Sequence, residues 1–320
     1  INVFGKKKKI LSKERGSNNA NFSKNYKYFI NTYSSANKPN IINLYDFTGK
    51  SQRTIKDSNK LTETLKEYKL TKKEFFEFKT EQEINLNGWM MKPIDFDKNK
   101  KYPVLMYVYG GPGSQTVQDS WGGQYMWYQM LCQQGYIVVS IDNRGTGGRG
   151  SEFKKCTYKE LGKLETIDQI EGAKYLSSLE YVDDKRIGIW GWSYGGYMSS
   201  LCILKGAEYF STAIAVAPVT NWRFYDTIYT ERYMQTPQEN ADGYDLNSPI
   251  NHVDSLSGKY LLIHGSADDN VHIQNTYEMV SALVNANKQF ELFIYPDKNH
   301  SIYGGNTRLH LFKQITDFIS

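Results

Sequence analysis

The chain is short of histidine and cysteine and has no long apolar run, and each shortage narrows what it can be. Its 320 residues contain five histidines and three cysteines. Cys132, Cys156 and Cys202 are spaced for no metal or redox motif, and three cysteines make no disulfide framework. Cys132 and Cys202 fall in apolar helical patterns and read as core residues. Cys156 sits in a polar loop and reads as a free thiol. No apolar stretch reaches the roughly 18 residues of a transmembrane helix. No secretory signal opens the chain. The first residue is Ile1, inside a strand-like run, so the chain reads as a piece of a longer protein and the lack of a targeting signal carries little weight. A net charge of +5 is too mild for a nucleic-acid binder. The basic run at residues 6–9 reads as a solvated strand edge.

Aromatic residues are plentiful, and tyrosine most of all. They serve a core or line an apolar substrate pocket. The length allows one large α/β domain and something smaller. Residues 1–56 read as short antiparallel strands, with runs at 25–33 and 41–45 and a turn at 46–50. A set this small is not expected to be stable alone. A polar helix over 59–68 then leads into a different pattern. Strands are expected over 74–79, 84–92, 102–109, 136–141, 186–190, 213–217, 260–263 and 290–295. Helices are expected over 125–134, 164–178, 198–204, 271–287 and 309–319. This alternation predicts a mostly parallel, doubly wound sheet covered on both faces.

The decisive stretch is residues 186–197. A buried strand runs into Gly191-Trp192-Ser193-Tyr194-Gly195, and an apolar helical run follows. Gly-x-Ser-x-Gly between strand and helix is a nucleophile elbow. The turn is strained at Ser193, and side chains at Gly191 or Gly195 would clash with their neighbours. The Tyr194 N–H then points to where an oxyanion would form. An ordinary turn serine is the competing reading; the flanking strand and helix weigh against it. With the elbow on a middle strand, the expected fold is that of the α/β hydrolases.

That fold requires Ser, then an acid, then His along the chain. The strand at 260–263 ends in His264-Gly-Ser-Ala-Asp-Asp269, so the acid is Asp268 or Asp269. His252 and His264 precede the acid, His272 is too close to it, and His310 lies inside the last helix. His300 follows a strand end and fits the base by order and place. It would take the Ser193 proton and return it to the leaving amine, while the aspartate fixes its tautomer. The second oxyanion donor belongs on Tyr109-Gly110-Gly111-Pro112, as a backbone N–H or the Tyr109 hydroxyl. Gly145-Thr-Gly-Gly-Arg-Gly150 reads as a tight turn, since no Lys-Ser/Thr follows it for phosphate binding. Nothing in the sequence calls for a metal or a cofactor.

Gly-Trp-Ser-Tyr-Gly-Gly-Tyr, Tyr-Gly-Gly-Pro-Gly-Ser-Gln, His-Gly-Ser-Ala-Asp-Asp-Asn-Val-His and Asp-Thr-Ile-Tyr-Thr-Glu-Arg-Tyr-Met together resemble the prolyl oligopeptidase family, its dipeptidyl peptidase IV branch above all. The resemblance runs through residues 57–320 and implies an α/β-hydrolase catalytic domain there. It implies that residues 1–56 are the last strands of a β-propeller. It implies Asp268 as the triad acid and the Tyr109 hydroxyl as partner of the Tyr194 N–H. Tyr194, Val219, Trp222, Tyr225, Tyr229 and Val271 would wall the pocket for the residue before the cut, and Asn270 would hold a substrate carbonyl. Read without the resemblance, Trp222, Tyr225 and Tyr229 fall on one helical face at i, i+3 and i+7, a stripe that alone reads as core. A flat proline ring suits such an aromatic slot. Thr212 stands where some animal members carry a disulfide cysteine, so no such bridge is expected.

The leading expectation is a serine exopeptidase that releases X-Pro dipeptides through an acyl-enzyme. Its partners would be peptides with proline second, with no nucleic acid, and the chain would form a homodimer. A bacterial member would work outside the cytoplasm, in the periplasm or at the cell surface. The branch grips the substrate amine with a Glu-Glu pair on the propeller, and this chain contains no such pair. The competing readings are an esterase or post-proline endopeptidase, a catalytically weak piece lacking its propeller, and a non-catalytic binding protein.

Overall fold

The computed structural model describes residues 9–12 and 14–320. Of the basic run at 6–9, only Lys9 lies within them, and its Nζ donates to the Thr48 carbonyl at 2.8 Å. The chain divides into two compact units. One is the chain through Lys73 with Gln118–Met130; the other is Glu74–Val117 with Leu131–Ser320. The division thus falls later than the change of sequence pattern near residue 56.

The first unit holds an antiparallel sheet of four strands in sequential order: β1 (Ser17–Phe22), β2 (Tyr28–Ser35), β3 (Lys38–Asp46) and β4 (Ser51–Lys56). The alternation along β2 buries Phe29, Asn31 and Tyr33 on one face. Phe29 stacks on Tyr45 of β3 at 5.2 Å. The Asp46 carboxylate accepts from the Thr48 and Lys50 N–H groups and closes the β3–β4 turn. β1 was not expected. It is mostly polar up to Phe22 and exposed along its length, so it has no alternation to read; pairing with β2 alone makes it a strand. Helix α1 (Asn59–Lys66) buries no residue, in keeping with its polar sequence.

The remaining elements follow in chain order: β5 (Lys73–Lys79), β6 (Asn85–Met91), β7 (Tyr102–Val108), α2 (Tyr125–Gln133), β8 (Ile137–Asp142), α3 (Ser151–Lys155), α4 (Lys163–Ser177), β9 (Val182–Trp192), α5 (Tyr194–Lys205), β10 (Thr212–Val216), α6 (Thr227–Met234), α7 (Ala241–Asp245), β11 (Lys259–Gly265), α8 (Gln274–Asn285), β12 (Glu291–Tyr295) and α9 (Thr307–Ile319). Their strands form one sheet in the order β12-β11-β10-β9-β7-β8-β6-β5. β8, β7, β9, β10, β11 and β12 run parallel, and β6 is antiparallel to β8. This is the doubly wound α/β-hydrolase sheet expected of the alternation. Its central strands are buried on both faces, which is why they read as continuous apolar runs. Helix α5 is buried from Tyr194 to Leu204, the packing of a helix that is apolar all round. Cys132 and Cys202 lie in this core, and burial pushes the Cys132 thiol up to about 12.

One expectation needs correction. Trp222, Tyr225 and Tyr229 do not lie on one helical face. Residues 222–224 form a single 3-10 turn, Tyr225 is extended, and α6 begins at Thr227. Asp226 breaks the run: its side chain accepts from the Tyr229 N–H at 2.8 Å and caps α6. Helix α8 likewise starts at Gln274, later than expected, because the backbone of Asn270 and Val271 is committed to Asp268. No helix among the described residues is long and apolar enough to cross a membrane.

Candidate active site

The carboxyl ends of β9, β10, β11 and β12 are stitched together by backbone bonds. Ser193 N–H donates to Val216 O at 2.8 Å, Ala217 N–H to Ile263 O at 2.7 Å, and Ser266 N–H to Tyr295 O at 2.9 Å. Each strand's exit is thus held on the strand beside it. Ligands of parallel sheets bind outside these ends.

Ser193 occupies the turn between β9 and α5 at φ 62°, ψ −118°. A non-glycine residue pays for such a conformation, and only a surrounding structure that demands it keeps it there. The demand is visible. A Cβ on Gly195 would run into the Val108 carbonyl oxygen, and one on Gly191 into the carbonyl of Gly195. The turn is therefore packed directly on β7 with no room to relax. Tyr194 opens α5, so its N–H has no carbonyl one turn earlier to bond.

The loop after β11 carries Asp268 and the loop after β12 carries His300. Ala267 N–H donates to Lys298 O at 3.0 Å, and Asp297 N–H to Ser266 Oγ at 2.9 Å, which joins the two loops. His300 Nδ1 lies 2.7 Å from Asp268 Oδ2. Asp269 is exposed, so of the two candidate acids the geometry engages Asp268. The Asp268 side chain is wholly covered, whereas His300 keeps 19% of its surface exposed. Burial opposes ionisation of Asp268. Hydrogen bonds from His264, His300 and the Asn270 N–H outweigh it and hold the carboxyl well below the usual carboxylate range. An ionised Asp268 takes a proton-bearing Nδ1. That leaves the His300 Nε2 lone pair free to act as a base.

The nucleophile turn and the histidine loop touch. The Trp192 indole N–H donates to the His300 carbonyl at 2.9 Å, and the Arg308 guanidinium of α9 lies over the Trp192 ring at 4.5 Å. Neither contact was foreseen in the sequence.

Tyr109 follows β7, its ring 6.0 Å from that of Tyr194. Burial first, and Tyr233 second, raise its pKa, so the hydroxyl keeps its proton as a donor. Its loop is fixed by Asn143 Nδ2 on Gly110 O at 3.0 Å and by Gly113 N–H on Gly145 O at 2.8 Å. The glycine-rich loop at 145–150 therefore braces the Tyr109 loop, in agreement with its reading as a turn.

The aromatic residues converge from separate elements. Trp222 lies 5.4 Å from Tyr194, 5.9 Å from Tyr225 and 5.9 Å from Tyr229. Tyr194, Val219, Trp222 and Val271 are buried, while Tyr225 and Tyr229 border solvent. The exposed Asn270 accepts the Tyr225 hydroxyl on Oδ1 at 2.7 Å. Beneath the rings, the Tyr194 hydroxyl donates to the fully buried Glu165 at 2.8 Å. Glu165 also receives the Gly162 N–H and had no reading in the sequence. His272 is exposed, His252 bonds Leu246 O and His310 bonds the Tyr295 hydroxyl; none of them reaches Asp268.

The model of the prolyl oligopeptidase family matches residues 124–320. The chain belongs to the prolyl oligopeptidase family. A protein of Paracoccidioides brasiliensis described as "Probable dipeptidyl-aminopeptidase B" is 43% identical over 277 residues, 84% of this chain and 30% of its own length. Its namesake in Botryotinia fuckeliana is 41% identical over 94% of this chain and 33% of its own. The crystal structure of Porphyromonas gingivalis dipeptidyl peptidase 4 superposes with a TM-score of 0.94 at 50% identity, over 97% of this chain and 44% of that one. The chain thus spans about a third of the curated relatives it matches. Family and structure agree on the α/β-hydrolase fold of the second unit.

Proposed function

We propose that this chain is the catalytic part of a serine peptidase that releases dipeptides ending in proline from peptide amino termini. The observation that carries the reading is the link from Asp268 Oδ2 to His300 Nδ1 at 2.7 Å, with the His300 carbonyl tied to the residue preceding Ser193. Ser193 Oγ attacks the substrate carbonyl and His300 Nε2 accepts its proton. The Tyr194 N–H and the Tyr109 hydroxyl take up the oxyanion, an effect worth about 10²–10³ in rate per donor. The tetrahedral adduct expels the amine, which receives the proton from His300. Water then hydrolyses the acyl-enzyme by the same route. Trp222, Tyr225 and Tyr229, with Tyr194, Val219 and Val271, receive a flat apolar ring, and Asn270 Nδ2 donates to a substrate carbonyl.

The names of the relatives support the dipeptidyl reading. The preference for proline rests on the aromatic slot. In this reading the strands β1–β4 belong to a β-propeller whose remainder would carry the grip on the substrate amine. The chain alone is then an able acyl-transfer centre with weak peptide selection. The second unit pairs with a copy of itself through the β12 edge, where Leu292 is exposed, and the complete enzyme works outside the cytoplasm; light scattering and cell fractionation test these two points.

The experiment compares a Gly-Pro chromogenic amide with a simple activated ester, each with Ser193→Ala as control. Serine-dependent hydrolysis of the ester is expected, with the amide slower than for an intact family enzyme. Ester turnover that survives Ser193→Ala would refute the assignment. Equal turnover of an N-acetylated and a free Gly-Pro substrate marks the lost amine grip.

A further inference from the structure

Asp268 receives more donors than its bond to His300 accounts for. Oδ1 accepts the N–H groups of Asn270 and Val271, both at 2.9 Å. Oδ2, the oxygen that faces His300, lies 3.2 Å from Nε2 of a second histidine, His264. His264 lies near the end of β11 and is wholly buried. Its Nε2 also lies 2.8 Å from the Val271 carbonyl, and its Nδ1 lies 2.7 Å from Thr276 Oγ1 in α8. A carbonyl oxygen and an ionised carboxylate oxygen both demand a donor. Nε2 therefore carries a proton whether the ring is neutral or charged. The Thr276 hydroxyl donates to Nδ1 in the first case and accepts from it in the second.

We propose that His264 is a positioning residue for the reaction: its Nε2–H, bonded to the Val271 carbonyl, lies beside Asp268 Oδ2 and sets how strongly the carboxylate holds the His300 proton. The proposal rests on the triad reading above. A carboxylate oxygen with a second N–H dipole close beside it presents less negative charge to its first donor. Without the His264 donor, Asp268 stabilises the His300 imidazolium more. His300 then keeps its proton to higher pH and is a poorer base at neutrality. Other ionisable groups near this cluster are the exposed Asp269 and His272 of the Asp268 loop, Lys298 of the His300 loop, Tyr225, which senses the Asp268 charge, and Arg308, which stacks on Trp192. No side chain among these is bonded to the Asp268 carboxylate, whose side-chain neighbours are the two histidines. A histidine that only pins the Val271 carbonyl would stabilise the loop without moving the pH response.

The test measures the rate at which a fluorophosphonate labels Ser193 as a function of pH, which needs no peptide turnover. His264→Gln places an amide NH₂ where Nε2 lies. His264→Asn places one where Nδ1 lies, out of reach of Asp268. The expected result is a wild-type acid limb for Gln and a limb moved upward by about half a unit to one unit for Asn. Thr276→Val, which frees the ring without removing it, gives a smaller shift in the same direction and keeps the question decidable if Asn fails to fold. Acid limbs for Asn and Thr276→Val that coincide with wild type overturn the proposal and leave the triad standing. A wild-type protein whose labelling is unaffected by His300→Ala overturns the triad reading, and the proposal falls with it.

Discussion

The Trp192 indole N–H reaches the His300 carbonyl oxygen at 2.9 Å. One hydrogen bond thus joins the residue before the nucleophile to the backbone of the general base, 108 positions later in the chain. Side chains at such a site must be held to within a fraction of an ångström. The loop that carries His300 is also held by its bonds to the Asp268 loop and by Ile302, buried at φ 43°, a conformation that a β-branched side chain resists.

Trp192→Phe removes this donor and keeps an aromatic face for Arg308. A hydrogen bond worth about 1–2 kcal/mol predicts a five- to thirtyfold loss in Ser193-dependent ester turnover. KM should stay within about twofold, because the indole makes no substrate contact in the proposed mechanism. Unchanged turnover would show that Ile302 and the loop backbone alone place His300.

Tyr109→Phe tests the second oxyanion donor. The ring and its packing on Tyr194 remain while the hydroxyl is lost. The expected loss is about 10²–10³ in kcat with KM little changed. A loss under about fivefold would transfer the role to a backbone N–H of the Gly110-Gly111 loop.

Gly195→Ala tests the packing of the elbow. The new Cβ meets the Val108 carbonyl oxygen inside any tolerated contact and lies 3.2 Å from Tyr109 Cα. Backbone cannot move aside as a flexible side chain can, so about 3 kcal/mol or more of stability should be lost. Gly188→Ala on β9, the strand that leads into the elbow, is the control, since its Cβ meets nothing closer than 3.5 Å. Thermal melting of both variants decides the point; equal melting temperatures would contradict the described packing.

Glu165 predicts a pH dependence of stability. Burial raises its pKa from 4.5 to about 7, against the opposing hydrogen bonds from the Gly162 N–H and the Tyr194 hydroxyl. Between these values the folded chain binds a proton that the unfolded chain has released. Stability is therefore full below about 4.5 and falls as pH rises through about 7, by about 3 kcal/mol in all. The charged and polar groups that face it are Asp168, Tyr194, Tyr197 and, further out, Arg144. Glu165→Gln mimics the protonated acid. The melting temperature of the variant relative to wild type should become more favourable from pH 5 to pH 8. A difference that does not change with pH would mean that Glu165 keeps one protonation state throughout.

Much of the fold was legible because its signals are local. Strand alternation in β2, the continuous apolar strands of the second unit and the glycines around Ser193 each reflect constraints within a few residues of the chain. The exceptions have local causes too. β1 is mostly polar and exposed and leaves no pattern, and Asp226 caps a helix inside what reads as one helical stripe. At the candidate site, the order of Ser193, Asp268 and His300 was legible, whereas Glu165, Trp192 and His264 were not. Their partners lie 29, 108 and 4 residues away, and no periodicity marks such pairs. His-Gly-Ser-Ala-Asp at the end of β11 was the one available hint, since it sets His264 close before Asp268 at the mouth of the sheet.

By itself, then, the sequence determined which segments are strands and helices, where the strained turn falls and in what order the reactive side chains occur, because these depend on neighbours along the chain. Read from the residues without the resemblance, Asp268 and Asp269 stay open; the tertiary structure brought Asp268 to His300, closed rings from three separate elements on one another, and set two histidines against one carboxylate. The physical reason is the strand order β9-β10-β11-β12. It sets loops far apart in sequence side by side, and only then can hydrogen-bond geometry and burial choose among residues of the same chemical type.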